Sequence, residues 1–218
     1  MGVRGGVVMS WATKTLREFQ DALASDAPTP GGGSAAGVAL GQAAALAIMV
    51  SDLTLAKESC KEGWKIAERV KEVALPLLDE GLDLAIQDSV SFDAVVESFR
   101  LPKSTDDEKI QRKQAIRDAT LGAAIVPYRT AIAALDLLCL LPELALKGNG
   151  NAASDAGVSG LLASTALKGA IFNVEINLAS LPDDYGVEMR ENLPSLIEDG
   201  RIHSRNCMEA VRARLSNQ

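Results

Sequence analysis

Pro28-Thr-Pro-Gly-Gly-Gly-Ser34 runs without a break into Ala35-Ala-Gly-Val-Ala-Leu-Gly-Gln-Ala-Ala-Ala-Leu-Ala-Ile-Met-Val-Ser51. No charged residue occurs from Ala27 to Ser51, a span of 25 residues. The prolines and glycines at its start bar a helix until about Ser34. Seven of the 18 residues from Ser34 to Ser51 are alanine, the strongest helix former but a weak driver of membrane insertion beside Leu, Ile or Phe. Gly33, Gly37, Gly41 and Ala45 recur at four-residue spacing and predict a smooth stripe on which a second helix can pack closely. The stretch therefore reads as the central helix of a bundle, not as a membrane span.

Helical periodicity extends to both sides of it. Thr13 to Ala24 reads as a short amphipathic helix with Leu16, Phe19, Gln20 and Leu23 on one side. Lys57 to about Ser98 carries apolar residues at helical spacing, with Pro76 as a bend. Thr105 with Glu108 forms a capping box that opens a helix toward Lys147, kinked near Pro127. Gly148 to Asn151 is a turn. A helix from about Ser154 to Ala179 follows, and Pro182-Asp-Asp184 starts the last one, which ends near Leu215. No stretch alternates as a strand does. The expected fold is all-α: an antiparallel bundle of about six helices, several long and kinked, forming one domain over residues 13–218. Residues 1–12 read as a disordered leader.

Composition excludes several function classes. A formal net charge of −7 argues against non-specific binding to nucleic acid or an anionic membrane. Three scattered cysteines, Cys60, Cys139 and Cys207, suit buried thiols in a reducing, cytoplasmic setting. The single histidine, His203, and the absence of metal-ligand spacing predict no metal site. The apolar run Val7-Val8-Met9 is too short for a signal peptide.

Four features could carry chemistry. The turn Pro30-Gly31-Gly32-Gly33-Ser34 bares backbone N–H groups at the positive end of a helix, which suits an anionic or carbonyl ligand. It lacks the Gly-Lys-Ser/Thr ending of a P-loop, and it could equally be a tight turn capped by Ser34. Asp88 lies beside apolar residues well inside a predicted helix, where Asp is a poor choice. Burial there would raise its pKa and make it a usable acid or base; the plain alternative is a solvated Asp. Lys109, Lys113 and Arg117, with Arg112 alongside and Lys103 upstream, form a basic stripe, either a dock for a polyanionic tail or a solvated face. Asn173 and Asn177 share one face of a small, apolar helix, placed to bind a polar heterocycle or to bridge helices.

Taken in order, these residues resemble a known family. Leu16-x-x-Phe19, Pro28-Thr-Pro-Gly-Gly-Gly-Ser34, Asp88-x-x-x-Phe92, Leu101-Pro-Lys-x-Thr105 with Glu108 and Arg112, Val126-Pro127, Gly148-Asn149, Ser154-Asp155 and Asn173-Val-x-Ile-Asn177 are similar to the cyclodeaminase/cyclohydrolase domain of formiminotransferase-cyclodeaminase. The resemblance runs from about residue 15 to 215. It implies an all-α homodimer that handles one-carbon units on tetrahydrofolate without a metal. Asp88 would be the catalytic acid. Pro30, Gly31, Gly32, Gly33, Ser34, Lys103, Arg112, Asn149, Asp155, Asn173 and Asn177 would bind the substrate, although Asp155 also reads as a helix cap. The expected substrate is a tetrahydrofolate derivative, possibly polyglutamylated. Two reactions are open: hydrolysis of 5,10-methenyltetrahydrofolate to 10-formyltetrahydrofolate, and cyclisation of 5-formiminotetrahydrofolate with loss of ammonia. An all-helical chain of this length has no room for a formiminotransferase domain, which favours the hydrolysis unless the transferase is a separate protein. A non-catalytic helical scaffold is the alternative from another class.

Overall fold

The computed structural model describes residues 11–216. Six α-helices follow one another: α1 (Leu16–Leu23), α2 (Gly32–Leu55), α3 (Trp64–Phe99), α4 (Asp106–Lys147), α5 (Ala153–Ala179) and α6 (Val187–Ser216). Three short 3₁₀ segments accompany them, and no strand occurs among the described residues. Helices α2 to α5 form an antiparallel four-helix core, with α6 laid against α4 and α5. The core is aliphatic and small: Leu40, Leu84, Leu137, Leu138, Leu141 and Leu167 are fully enclosed among alanines. That is how a chain with 4% aromatic residues fills its interior.

The smooth stripe has a partner that sequence patterning did not supply. A Cβ on Gly37 would stand 2.7 Å from the Gly81 carbonyl oxygen, and one on Gly81 would stand 2.7 Å from the Gly41 nitrogen. Gly37 and Gly81, one from each helix, thus let α2 and α3 touch backbone to backbone, with Gly81 set against Gly41. Ala45 faces outward and lies off this seam. The seam fixes α3 against α2 at the level where Asp88 meets the start of α2.

Several boundaries differ from expectation. The segment expected to be helical from Lys57 opens instead as a 3₁₀ stretch, Glu58–Gly63, with α3 beginning at Trp64. Trp64 donates from its indole N–H to the carbonyls of Thr54 and Lys57. This collects acceptors at the end of α2 and forces the chain to turn. Gly63 is squeezed there, since a Cβ would stand 2.4 Å from the Lys147 carbonyl oxygen. Pro182-Asp-Asp184 does not start α6; it lies in a turn that ends at Gly186, whose φ of +66° places it in the left-handed region. Helices α3 and α4 run through Pro76, Pro127 and Pro142 without interruption. Helix α1 buries none of its residues, and Leu16 is 70% exposed.

Of the leader expected at residues 1–12, residues 1–10 lie outside the described residues. Its last two positions do not behave as a leader. Trp11–Thr13 forms a 3₁₀ turn, and Trp11 is only 6% exposed. Three helical segments, Gly32–Leu55, Asp106–Lys147 and Gly150–Ala179, are long and apolar enough to cross a membrane by length and composition. Here they pack on one another as neighbours in the core.

Candidate active site

The site forms where the start of α2, the middle of α3 and the C-terminal half of α5 meet. Gly31 takes the N-cap position of α2 in extended conformation, with no side chain capping the turn. The Thr29–Pro30 peptide is cis. Ser34 is therefore not the cap that one reading of the turn allowed. Its fully buried hydroxyl reaches across to α3 and donates to Oδ2 of Asp88 at 2.9 Å. The Ser34 backbone also bonds Asp88. The N–H groups of Gly32 and Gly33 have no acceptor inside the helix, as at any helix start.

Asp88 is half-buried. Burial pushes its carboxyl above the ordinary Asp range, and the two bonds from Ser34 pull part of the way back. Gly33 is the reason the carboxyl fits: a Cβ there would stand 2.1 Å from Oδ1 and 2.8 Å from Oδ2. A glycine at this position lets the α2 backbone lie against the carboxylate.

Asn173 and Asn177 stand on the facing helix. Asn173 donates from Nδ2 to the Gly169 carbonyl at 2.8 Å, and that Nδ2 lies 3.7 Å from where a Cβ on Gly32 would sit. Asn177 donates to the carbonyls of Ala123 at 3.0 Å and Asn173 at 2.8 Å. Both amides are anchored through nitrogen, which leaves each side-chain carbonyl oxygen as a hydrogen-bond acceptor. The pair is at once a bridge to α4 and a source of two acceptors.

The basic stripe divides. Lys109 pairs with Asp106 at 2.8 Å. Arg112, Lys113 and Arg117 line a hollow of about 640 Å³ with Ile116 and the end of α5 and the turn after it, Ala179 to Pro182, and no carboxylate lines it. The hollow opens just beyond Asn177 along the α4–α5 groove. Arg112 donates to the Phe99 carbonyl and lies over the Phe99 ring, while Arg117 lies over Tyr185. Lys103 is exposed in the α3–α4 connection.

Asn149 and Asp155 do not join this cluster within one chain. Asn149 is buried at the other end of α2, where its side chain donates to the Leu53 carbonyl and its backbone N–H donates to the Thr54 hydroxyl oxygen. Twenty helical residues separate Thr54 from Ser34, about 30 Å at 1.5 Å per residue. Asp155 sits in the first turn of α5, at that same far end. Sequence reading missed Trp11 and Ser89. Trp11 donates from its indole nitrogen to the Ser89 hydroxyl at 3.1 Å, and Ser89 lies 3.0 Å from the Ser34 hydroxyl. A tryptophan in a chain with only two of them was the signal available.

Residues 15–193 match the family model described as formiminotransferase-cyclodeaminase. The chain belongs to this family. It is 35% identical to a methenyltetrahydrofolate cyclohydrolase of Methylorubrum extorquens, over 93% of this chain and 98% of that protein. It is 30% identical to a formimidoyltransferase-cyclodeaminase of Sus scrofa over 96% of this chain, which spans only 39% of that longer protein. Among solved structures, the formiminotetrahydrofolate cyclodeaminase of Thermotoga maritima matches with a TM-score of 0.76 at 30% identity, covering 94% of this chain and 98% of that one. The all-α bundle of this family member is thus shared with a relative of similar length.

Proposed function

We propose that this protein is a folate one-carbon enzyme that hydrolyses 5,10-methenyltetrahydrofolate to 10-formyltetrahydrofolate, with Asp88 moving the proton. The observation that carries this is the Asp88 carboxyl itself: half-buried, raised by burial, and held at Oδ2 by the Ser34 hydroxyl. A base of that kind takes a proton from water as its oxygen bonds the methenyl carbon. The resulting carboxylic acid then gives that proton to N5 as the carbon–N5 bond breaks, while the added hydroxyl loses its own proton to water and becomes the carbonyl of the formyl group on N10. The Asn173 and Asn177 carbonyl oxygens would accept from the pterin ring's N–H groups, and the hollow lined by Arg112, Lys113 and Arg117 would receive the glutamate tail.

The full-length identity to the Methylorubrum cyclohydrolase favours hydrolysis. Chain length alone does not decide it, because the Thermotoga cyclodeaminase is of matching length. Cyclodeamination with a separate formiminotransferase is therefore the second reading, and the same carboxyl would serve it by protonating the departing ammonia.

A tail docked in the basic hollow predicts tighter binding of polyglutamylated than of monoglutamylated folate at low salt. Each exposed contact is worth about 1 kcal/mol or less and fades as salt screens it. Equilibrium binding of both folates to the protein and to Lys113→Ala with Arg117→Ala measures this. Equal affinities in the parent protein would assign the hollow no tail.

The working form is proposed to be a cytoplasmic homodimer, away from membranes. Helix α2 carries no charge from Gly32 to Ser51 yet exposes Met49, and beside it α5 exposes Leu161, Phe172 and Ile176, the last two at 68% and 70%. Lys168 and Glu175 flank Phe172, so a two-fold axis near Phe172 would set each opposite the other's copy. Cys60, Cys139 and Cys207 are all free thiols, and burial pushes Cys207 up to about 11. Sedimentation should show a dimer at micromolar concentration that Phe172→Asp dissociates; a monomeric parent protein would defeat the proposal.

A further inference from the structure

The chain of hydrogen bonds behind Asp88 has a direction. Trp11 Nε1 can only donate, and it donates to Ser89 Oγ at 3.1 Å. Ser89 Oγ lies 3.0 Å from Ser34 Oγ, and Ser34 Oγ donates to Asp88 Oδ2 at 2.9 Å. An ionised carboxylate can only accept. Both ends of the chain therefore push the protons the same way, from indole to hydroxyl to hydroxyl to carboxylate. Reversing the middle link, between the two hydroxyls, would take the Ser34 proton from Asp88 and leave the Ser89 proton with only the Ala85 carbonyl, at 3.4 Å. The indole is itself fixed: it is almost fully buried and packs edge-on against Phe19, ring centres 5.6 Å apart.

We propose that Trp11, Ser89 and Ser34 form a one-way donor chain that keeps Oδ2 of Asp88 an acceptor, so that the transferred proton enters and leaves at Oδ1. This rests on the reading of Asp88 as the proton carrier. It makes the segment before α1 a positioning part of the site and moves Ser34 from substrate contact to support of the carboxyl. The surroundings are otherwise uncharged. Helix α2 offers Gly33 and Ser34, α3 offers Ser89, and α5 offers Asn173 to the glycine turn. The nearby charges are engaged elsewhere: Asp93 of α3 accepts from Thr29, Arg129 of α4 serves Gln87 and Glu80, and Lys14 pairs with Glu18. Hydrogen bonds that favour the charged carboxylate lower its pKa, so cutting the chain must raise it.

The test reads the carboxyl directly, by ¹³C NMR titration of Asp88 in the parent protein, Trp11→Phe, Ser89→Ala and Ser34→Ala, beside the pH dependence of kcat/KM. Trp11→Phe keeps an aromatic ring at this position while removing the indole N–H donor. The Asp88 titration should move upward in all three variants, most for Ser34→Ala, and the acid limb of kcat/KM should move with it. On that limb Ser34→Ala should lose about tenfold or more, the worth of one hydrogen bond to a charged group, and regain activity as pH rises. Ser34→Thr, which restores the hydroxyl, should return the titration toward the parent position. An unmoved titration in folded Trp11→Phe and Ser34→Ala would overturn the chain while leaving Asp88 as proton carrier. A moved titration with a fully active Asp88→Asn would keep the chain and defeat the catalytic reading.

Discussion

Asp88→Asn should lower turnover of methenyl- or formiminotetrahydrofolate by about 10²–10⁴-fold, the usual contribution of one positioned acid–base group. The amide keeps the size of the carboxyl and can still accept from Ser34, but it cannot exchange a proton. Folate affinity should change far less, because the asparagine pair and the basic hollow are untouched. Stability should move the other way. Burial raises the Asp88 pKa, so between the ordinary carboxylate range and the raised value the native state holds more protons than the unfolded chain. Stability then falls as pH rises through that window. At neutral pH the buried charge is a cost that the amide removes, so Asp88→Asn should melt no lower than the parent protein. The difference should shrink as the pH falls into the ordinary carboxylate range. Steady-state kinetics and thermal melts on one preparation check both halves. A variant that keeps more than about a tenth of the parent rate, against that expected loss, removes Asp88 from the mechanism.

Gly33→Ala should cost activity of the same order by a different route. Its Cβ would fall 2.1 Å from Asp88 Oδ1, 2.5 Å from Cγ and 2.8 Å from Oδ2. No carboxyl can remain there, and turning it away breaks the bond from Ser34. Displacement of a reacting group by about 1 Å can cost on the order of 10²-fold. The fold should survive, because alanine is the better helix former by about 1 kcal/mol and the displaced atoms end a side chain. Gly41→Ala is the matched control: a Cβ there meets its nearest atom, the Leu78 carbonyl oxygen, only at 3.7 Å. It should leave activity intact. A Gly33→Ala variant with parent-like turnover would show that the carboxyl is not held against α2 as described.

Much of this was legible in the sequence because local chemistry decided it. The uncharged, alanine-rich run after three glycines can only be a helix that hides against others, and α2 is that helix. The Thr105–Glu108 box starts α4 because its two reciprocal bonds are made within four residues. Asp88 could be singled out because an Asp amid apolar helical neighbours needs a reason. What was not legible depends on contacts distant along the chain. Gly81 completes the α2–α3 seam from 40 residues beyond Gly41, and no periodicity within α3 marks it. Trp64 ends the run after α2 by capturing carbonyls that a sequence pattern leaves satisfied. Trp11 joins Ser89 across 78 residues, and a short N-terminal stretch gives no sign of where its one large side chain will dock. Asn149 and Asp155 looked like companions of Asp88 through resemblance alone; only the length of α2 shows that they stand at its opposite end.

The most direct measurement follows the methenyl absorbance of 5,10-methenyltetrahydrofolate at neutral pH with the purified protein, beside ammonia release from 5-formiminotetrahydrofolate. The protein should speed loss of the methenyl band well beyond the spontaneous rate, with 10-formyltetrahydrofolate as product, and Asp88→Asn should abolish the effect. Ammonia release without methenyl hydrolysis would transfer the site to cyclodeamination. A methenyl band that decays at the spontaneous rate, with no ammonia released, would contradict the account.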